Sequence, residues 1–182
     1  MTPMINIGNQ RAGNRWRTAV WGGAAALLLL PAVAMRFTRE VNWDGFDFAV
    51  FGTMLLLACG TYELGTRMSR NRHYRAATAI AVLSGFLLVW INLAVGILGN
   101  ESNPANLMYF GVLAVGAAGA LIARFRAQGM ARALQATAVA QTAVAVIALI
   151  AGYGATVLLT MVFGLLWLAS AGLFSKAARE PV

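Results

Sequence analysis

The chain reads as an all-α integral membrane protein: six transmembrane helices laid out as three tandem helical hairpins, with both termini cytoplasmic. Three observations predict this. Of 182 residues, 60% are hydrophobic and only 11% charged, whereas a soluble domain carries roughly 25% charged residues. Six runs reach the length of about 20 apolar residues that a bilayer crossing needs, near residues 17–36, 46–66, 75–98, 105–124, 131–152 and 155–175. One motif also recurs three times. Phe51-Gly52, Phe110-Gly111 and Phe163-Gly164 are each followed at the same offsets by a small residue, a glycine and an arginine. These are Ala58, Gly60 and Arg67; Ala117, Gly119 and Arg126; and Ser170, Gly172 and Arg179.

Taken in order, residues 1–16 form a polar tail expected to be loose and cytoplasmic. The first segment has a basic start, the Leu27–Leu30 core and small residues at Ala32-Val33-Ala34, features shared with a signal peptide. The recurrence of Thr18-Ala19 as Thr78-Ala79 and Thr137-Ala138, at the starts of segments three and five, argues that it belongs to the fold instead. Pro31 falls near its outer end, where neighbouring helices can satisfy the freed carbonyl. Each unit starts with Thr-Ala, crosses outward, turns, and returns through Phe-Gly to arginine. The hairpins are expected at about 17–67, 75–126 and 131–179, within one membrane domain of residues 17–175 followed by a cytoplasmic tail at 176–182. Repeats of this kind signal a duplicated structural unit, here with its pseudo-symmetry axis along the membrane normal.

Helices in lipid associate through close packing, which favours small residues at their contacts. Gly52, Gly60, Gly111, Gly116, Gly119, Gly164 and Gly172 are therefore expected at helix–helix contacts. Segment four, with Gly116/Ala120 and Gly119/Ala123 at four-residue spacing, is expected to be the most buried. Arg67, Arg126 and Arg179 are expected to anchor each hairpin by snorkelling to the inner headgroups. Asn103-Pro104-Ala105-Asn106 reads as a helix start, with asparagine as N-cap and proline in the first turn. Asp44-Gly45-Phe46-Asp47 reads as the same device with carboxylates, which also suit the positive helix end. Trp43 is expected at the outer interface, Trp16 and Trp21 at the inner one.

The net charge of +8 and pI near 11.1 raise the question of nucleic acid. The distribution answers it. Twelve of the 14 basic residues fall in the inner segments, leaving only Arg36 and Arg39 on the side where Glu40, Asp44, Asp47 and Glu101 collect. That asymmetry is a topology signal, since basic loops stay cytoplasmic. It implies attraction to anionic headgroups on the cytoplasmic side of the bilayer and no nucleic-acid partner.

Chemistry-bearing residues are few. Cys59 has no cysteine partner, and His73 is the single histidine. A metal or haem needs several convergent ligands, so no metal and no cofactor is expected. Asp44 and Asp47 have acid–base spacing, but asparagine stands at both equivalent positions of the second unit, which favours capping. Glu63 is the one acid within a span; its spacing to Arg67 predicts an i,i+4 ion pair at the headgroups. His73, among arginines, is expected at the surface. Asn92 is the most polar intramembrane exception, with Gln135 and Gln141 in segment five, and a site would lie between Trp90, Asn92 and Gln141. With Glu63 they make the candidate polar site, weighed against a role as helix–helix glue.

The run Trp43-Asp44-Gly45-Phe46-Asp47-Phe48, followed by a glycine-bearing helix ending Tyr62-Glu63-Leu64, resembles small multipass inner-membrane proteins of bacteria that carry no assigned function. The likeness covers mainly segments two to four. It implies a bacterial inner-membrane location and adds no mechanism. The expectation is a non-enzymatic structural or accessory membrane component, packing with itself or with another membrane protein. The alternative is a small transporter or channel for a neutral or weakly polar solute.

Overall fold

The computed structural model describes residues 7–180, with side chains described from residue 16 onward. Among the described residues the protein is all-helical: α1 (Ile7–Ala34), α2 (Gly45–Met68), α3 (Arg72–Ala94), α4 (Leu107–Ile122), α5 (Ala127–Ile150) and α6 (Gly154–Arg179), with a short 3-10 turn at Pro104–Asn106 before α4. All six helices are long and apolar enough to cross a membrane. The protein is a multipass membrane protein. α1 is already helical at Ile7, well inside the stretch expected to be a loose tail. Residues 1–6 of that tail and residues 181–182 lie outside the described residues.

The helix boundaries have local causes. Asp44 Oδ1 accepts from the backbone N–H of Phe46 (2.7 Å) and Asp47 (3.0 Å), and Asp47 Oδ2 accepts from the Asp44 N–H (2.9 Å). This reciprocal capping box satisfies N–H groups that the first turn of α2 would otherwise leave open. Asn71 Oδ1 caps α3 through the N–H of His73 and Tyr74. Asn103 accepts from Ala105 N–H at the 3-10 turn, with Pro104 behind it as expected. α1 runs through Pro31 and ends at Ala34; the proline removes the N–H that would otherwise bond to the Leu27 carbonyl.

The chain divides into two compact units, residues 1–63 and 64–182. In the first, α1 and α2 form a hairpin in which Leu28 lies against Gly52. Trp16 Nε1 donates to Tyr62 Oη (3.2 Å). Trp43 meets Phe48 and Phe51 edge to face, with ring centroids 5.4 and 5.3 Å apart. The second unit packs in the order α4, α5, α6, α3. α5 and α6 share the most extensive contact, α3 lies along α6, and α4 lies along α5. α3 and α4, although consecutive, touch only slightly. The core of this unit includes Leu88, Tyr109, Val112, Phe163, Trp167 and Phe174.

This arrangement corrects the expectation that segment four is the most buried. Only 17% of its apolar window is buried, against 44% for α5 and 39% for α6. α4 packs mainly on α5, and touches α6 through Tyr109 and α3 only slightly. The recurring motif does not carry equal surroundings with it either. Phe51 and Phe163 are buried while Phe110 is exposed; Thr78 and Thr137 are buried while Thr18 is exposed.

Candidate functional site

Two hydrogen-bonded groups of polar side chains stand out in the second unit. The first joins α4, α5 and α6. Gln141, fully buried, donates from Nε2 to the Thr160 carbonyl (3.3 Å) and accepts at Oε1 from the Trp167 indole (3.4 Å). The Thr160 hydroxyl lies 2.8 Å from the Tyr109 hydroxyl and itself donates to the Thr156 carbonyl (3.0 Å). These side chains use their polar atoms on one another, as buried polar groups in a low-dielectric interior must. α6 is also tied to α3, through Ser170 Oγ donating to the Ala77 carbonyl (2.7 Å).

The second group sits at the α3–α4 connection and centres on Asn106. Its Oδ1 accepts from the N–H of Ile97 (3.1 Å) and Leu98 (2.8 Å), and its Nδ2 donates to the carbonyls of Asn100 (2.6 Å) and Leu98 (3.4 Å). One amide thereby satisfies a loop that has no ladder of its own. Asn92 Nδ2 donates to the Asn106 carbonyl (3.1 Å), while Asn92 Oδ1 is buried with no hydrogen-bond partner. Beside this group Asn103 Nδ2 donates to Tyr153 Oη (2.8 Å), tying the α3–α4 connection to the α5–α6 turn.

At the opposite end of this unit, Glu180 Oε2 accepts from Asn71 Nδ2 (2.9 Å) and lies 2.8 Å from His73 Nδ1. The hydrogen bonds from His73 and then Asn71 hold the Glu180 carboxyl below its ordinary range. His73 was expected at the surface. Its side chain retains only 13% exposure because α6 ends beside it.

The expected polar site is not assembled as one cluster. Asn92 and Gln141 bond to different partners, in the two groups just described. Trp90 is 40% exposed, its ring tilted against Phe86 at 6.2 Å between centroids. Glu63 belongs to the other unit, where it bridges the α1–α2 hairpin. Its Oε1 lies 2.9 Å from the Arg17 guanidinium, and its Oε2 accepts from the Trp21 indole (3.0 Å). These partners are contributed by α1, which spacing along α2 could not disclose. Arg67, Arg126 and Arg179 are all exposed at helix ends.

The glycines divide sharply. A methyl group at Gly119 would sit 2.7 Å from Ala133 Cβ, and one at Gly116 would sit 3.0 Å from Thr137 Oγ1. Gly52 and Gly164 have ordinary contacts with Leu28 and Gln141. A methyl group at Gly60, Gly111 or Gly172 would meet nothing within 4 Å among the described residues, so close helix contacts are not seen there. Three tight glycines were not anticipated: Gly65 against Thr78, Gly129 against Ala123 and, in the α3–α4 connection, Gly96 against the Asn100 backbone.

Asn106, Tyr109, Thr160 and Trp167 were likewise missed. A usable signal existed for Tyr109 and Trp167, since an aromatic ring with a polar tip placed within a span needs a partner for that tip. Asn106 carried no such signal, because its position at a helix start already had an explanation. Among the described residues, no three His, Cys, Asp or Glu side chains gather as a metal site would require. No protein-family model, curated protein or solved structure matches the chain.

Proposed function

We propose that this membrane protein is a non-enzymatic structural or accessory component of a bacterial inner membrane, packing with a second copy or with another membrane protein. The observation that carries this reading is the expenditure of the interior polar groups. Gln141, Thr160, Tyr109, Trp167 and Ser170 are consumed by bonds between helices, whereas a carrier keeps polar groups free along a hydrated path near the midplane. The arginine distribution supports cytoplasmic termini. The absence of a nucleophile and base in register along the sequence supports a non-catalytic role.

A transporter or channel for a neutral or weakly polar solute has one observation in its favour, the unpartnered Asn92 Oδ1. Stopped-flow light scattering on proteoliposomes challenged with glycerol or urea separates the two readings. The accessory reading expects shrinkage and swelling at the rate of empty vesicles. Saturable solute entry that disappears in Asn92→Leu would replace it with the transport reading.

A further inference from the structure

We propose that the α4–α5 turn and the start of α5, carrying Arg124, Arg126 and Arg132, seat the phosphate headgroup of an anionic phospholipid. In the second unit, nine basic residues lie at the end of α2, in the α2–α3 loop and first turn of α3, in the α4–α5 turn and start of α5, and at the end of α6. The fold brings these stretches to one end. Tyr74 Oη donates to the Phe125 carbonyl (2.8 Å), joining the start of α3 to the turn, and Asn71 and His73 join it to Glu180. Glu180 is the one carboxylate among residues 64–180 at this end, and it is already engaged.

The turn itself is held in a fixed shape. Arg124 and Phe125 both adopt positive φ, 48° and 58°, a region that side chains other than glycine seldom occupy. The N–H groups of Arg124, Phe125 and Arg126 return to the carbonyls of Leu121, Ala120 and Ala123, and Tyr74 fastens the centre. A cationic turn fixed in this way loses little conformational freedom when it binds. Arg124, Arg126 and Arg132 are all exposed, and their long stems allow the guanidinium groups to reach the headgroup level.

A lipid fits better than a free phosphate because apolar surface adjoins the charge. Leu121 and Ile122, at the turn end of α4, are 67% and 84% exposed, and Val139 on α5 is 71% exposed. Acyl chains below a bound headgroup would cover them. The proposal rests on the six helices crossing a bilayer and is independent of the accessory role. Lipid preference is measured without solute flux, so either reading can fail alone.

The test uses the full chain in phosphatidylcholine vesicles with spin-labelled phosphatidylglycerol or phosphatidylcholine as probe. Wild type should prefer phosphatidylglycerol. Each arginine near a surface contributes about a five-fold preference, so Arg126→Gln should lower the ratio of association constants by about that factor. Arg124→Gln/Arg126→Gln/Arg132→Gln should abolish most of it, and the triple lysine variant should restore much of it. Arg36→Gln/Arg39→Gln, in the α1–α2 loop, should leave it unchanged. Full preference in Arg126→Gln or in the triple glutamine variant would overturn the proposal. So would displacement of the labelled lipid by inorganic phosphate, which would make the turn a soluble-anion site.

Discussion

Two asparagines separated by the α3–α4 connection illustrate how differently one residue type acts. Asn106 satisfies two buried backbone N–H groups and two carbonyls, so the loop containing Gly96 and Gly99 depends on it. Asn92 makes one bond and leaves its oxygen unmet. Stranding a buried donor costs about 1–3 kcal/mol. Asn106→Leu should therefore destabilise the protein by about 3 kcal/mol, while Asn92→Leu should stay within about 1 kcal/mol of wild type. Unfolding in mixed micelles checks both values, and a cost for Asn92→Leu equal to that of Asn106→Leu would refute the contrast. Asn92 was recognisable from the sequence because it interrupts an apolar run. Asn106 was hidden by its place in a capping motif, where its side chain was already accounted for.

Between neighbouring helices, what matters is which glycine meets a backbone. Gly119 and Gly111 lie on the same helix and are equally small, but only Gly119 faces α5 at close range. Gly119→Ala should force α4 away from Ala133 and cost about 1–3 kcal/mol. Gly111→Ala has open space and should stabilise α4 by about 0.5–1 kcal/mol through helix propensity. Thermal unfolding in one detergent gives both signs, and a stabilising Gly119→Ala would contradict the α4–α5 packing described above. The starts of α2 and of the turn before α4 were legible, because Asp44, Asp47, Asn103 and Pro104 act on backbone groups two or three residues away. The reach of Glu63 to Arg17 and Trp21 was not legible, since 42 or more residues separate those groups along the chain.

For the molecule as a whole, all six helices are long and apolar enough to cross a bilayer, and the proposal of cytoplasmic termini rests on the arginine distribution. The exposed positions Glu101 and Gln128 lie at opposite ends of the second unit and test this. In a Cys59→Ser background, Glu101→Cys should react with a membrane-impermeant maleimide on intact cells. Gln128→Cys should react only after permeabilisation. The reverse pattern would invert the topology and remove the cytoplasmic setting assumed for the termini.

Length, apolarity and short-range capping determined the number and type of the helices, because each depends on a local segment and its solvent. The order of packing, α4 to α5 to α6 to α3, was decided only by the tertiary structure. The physical reason lies in the lipid. In water, an apolar stripe marks the face a helix buries; in a bilayer, every face is apolar and hydrophobicity selects none. Burial then follows from which small residues and polar tips happen to meet across helices, as Gly119 meets Ala133 and Gln141 meets Trp167. Such meetings are properties of the folded chain, and neither partner announces the other in sequence.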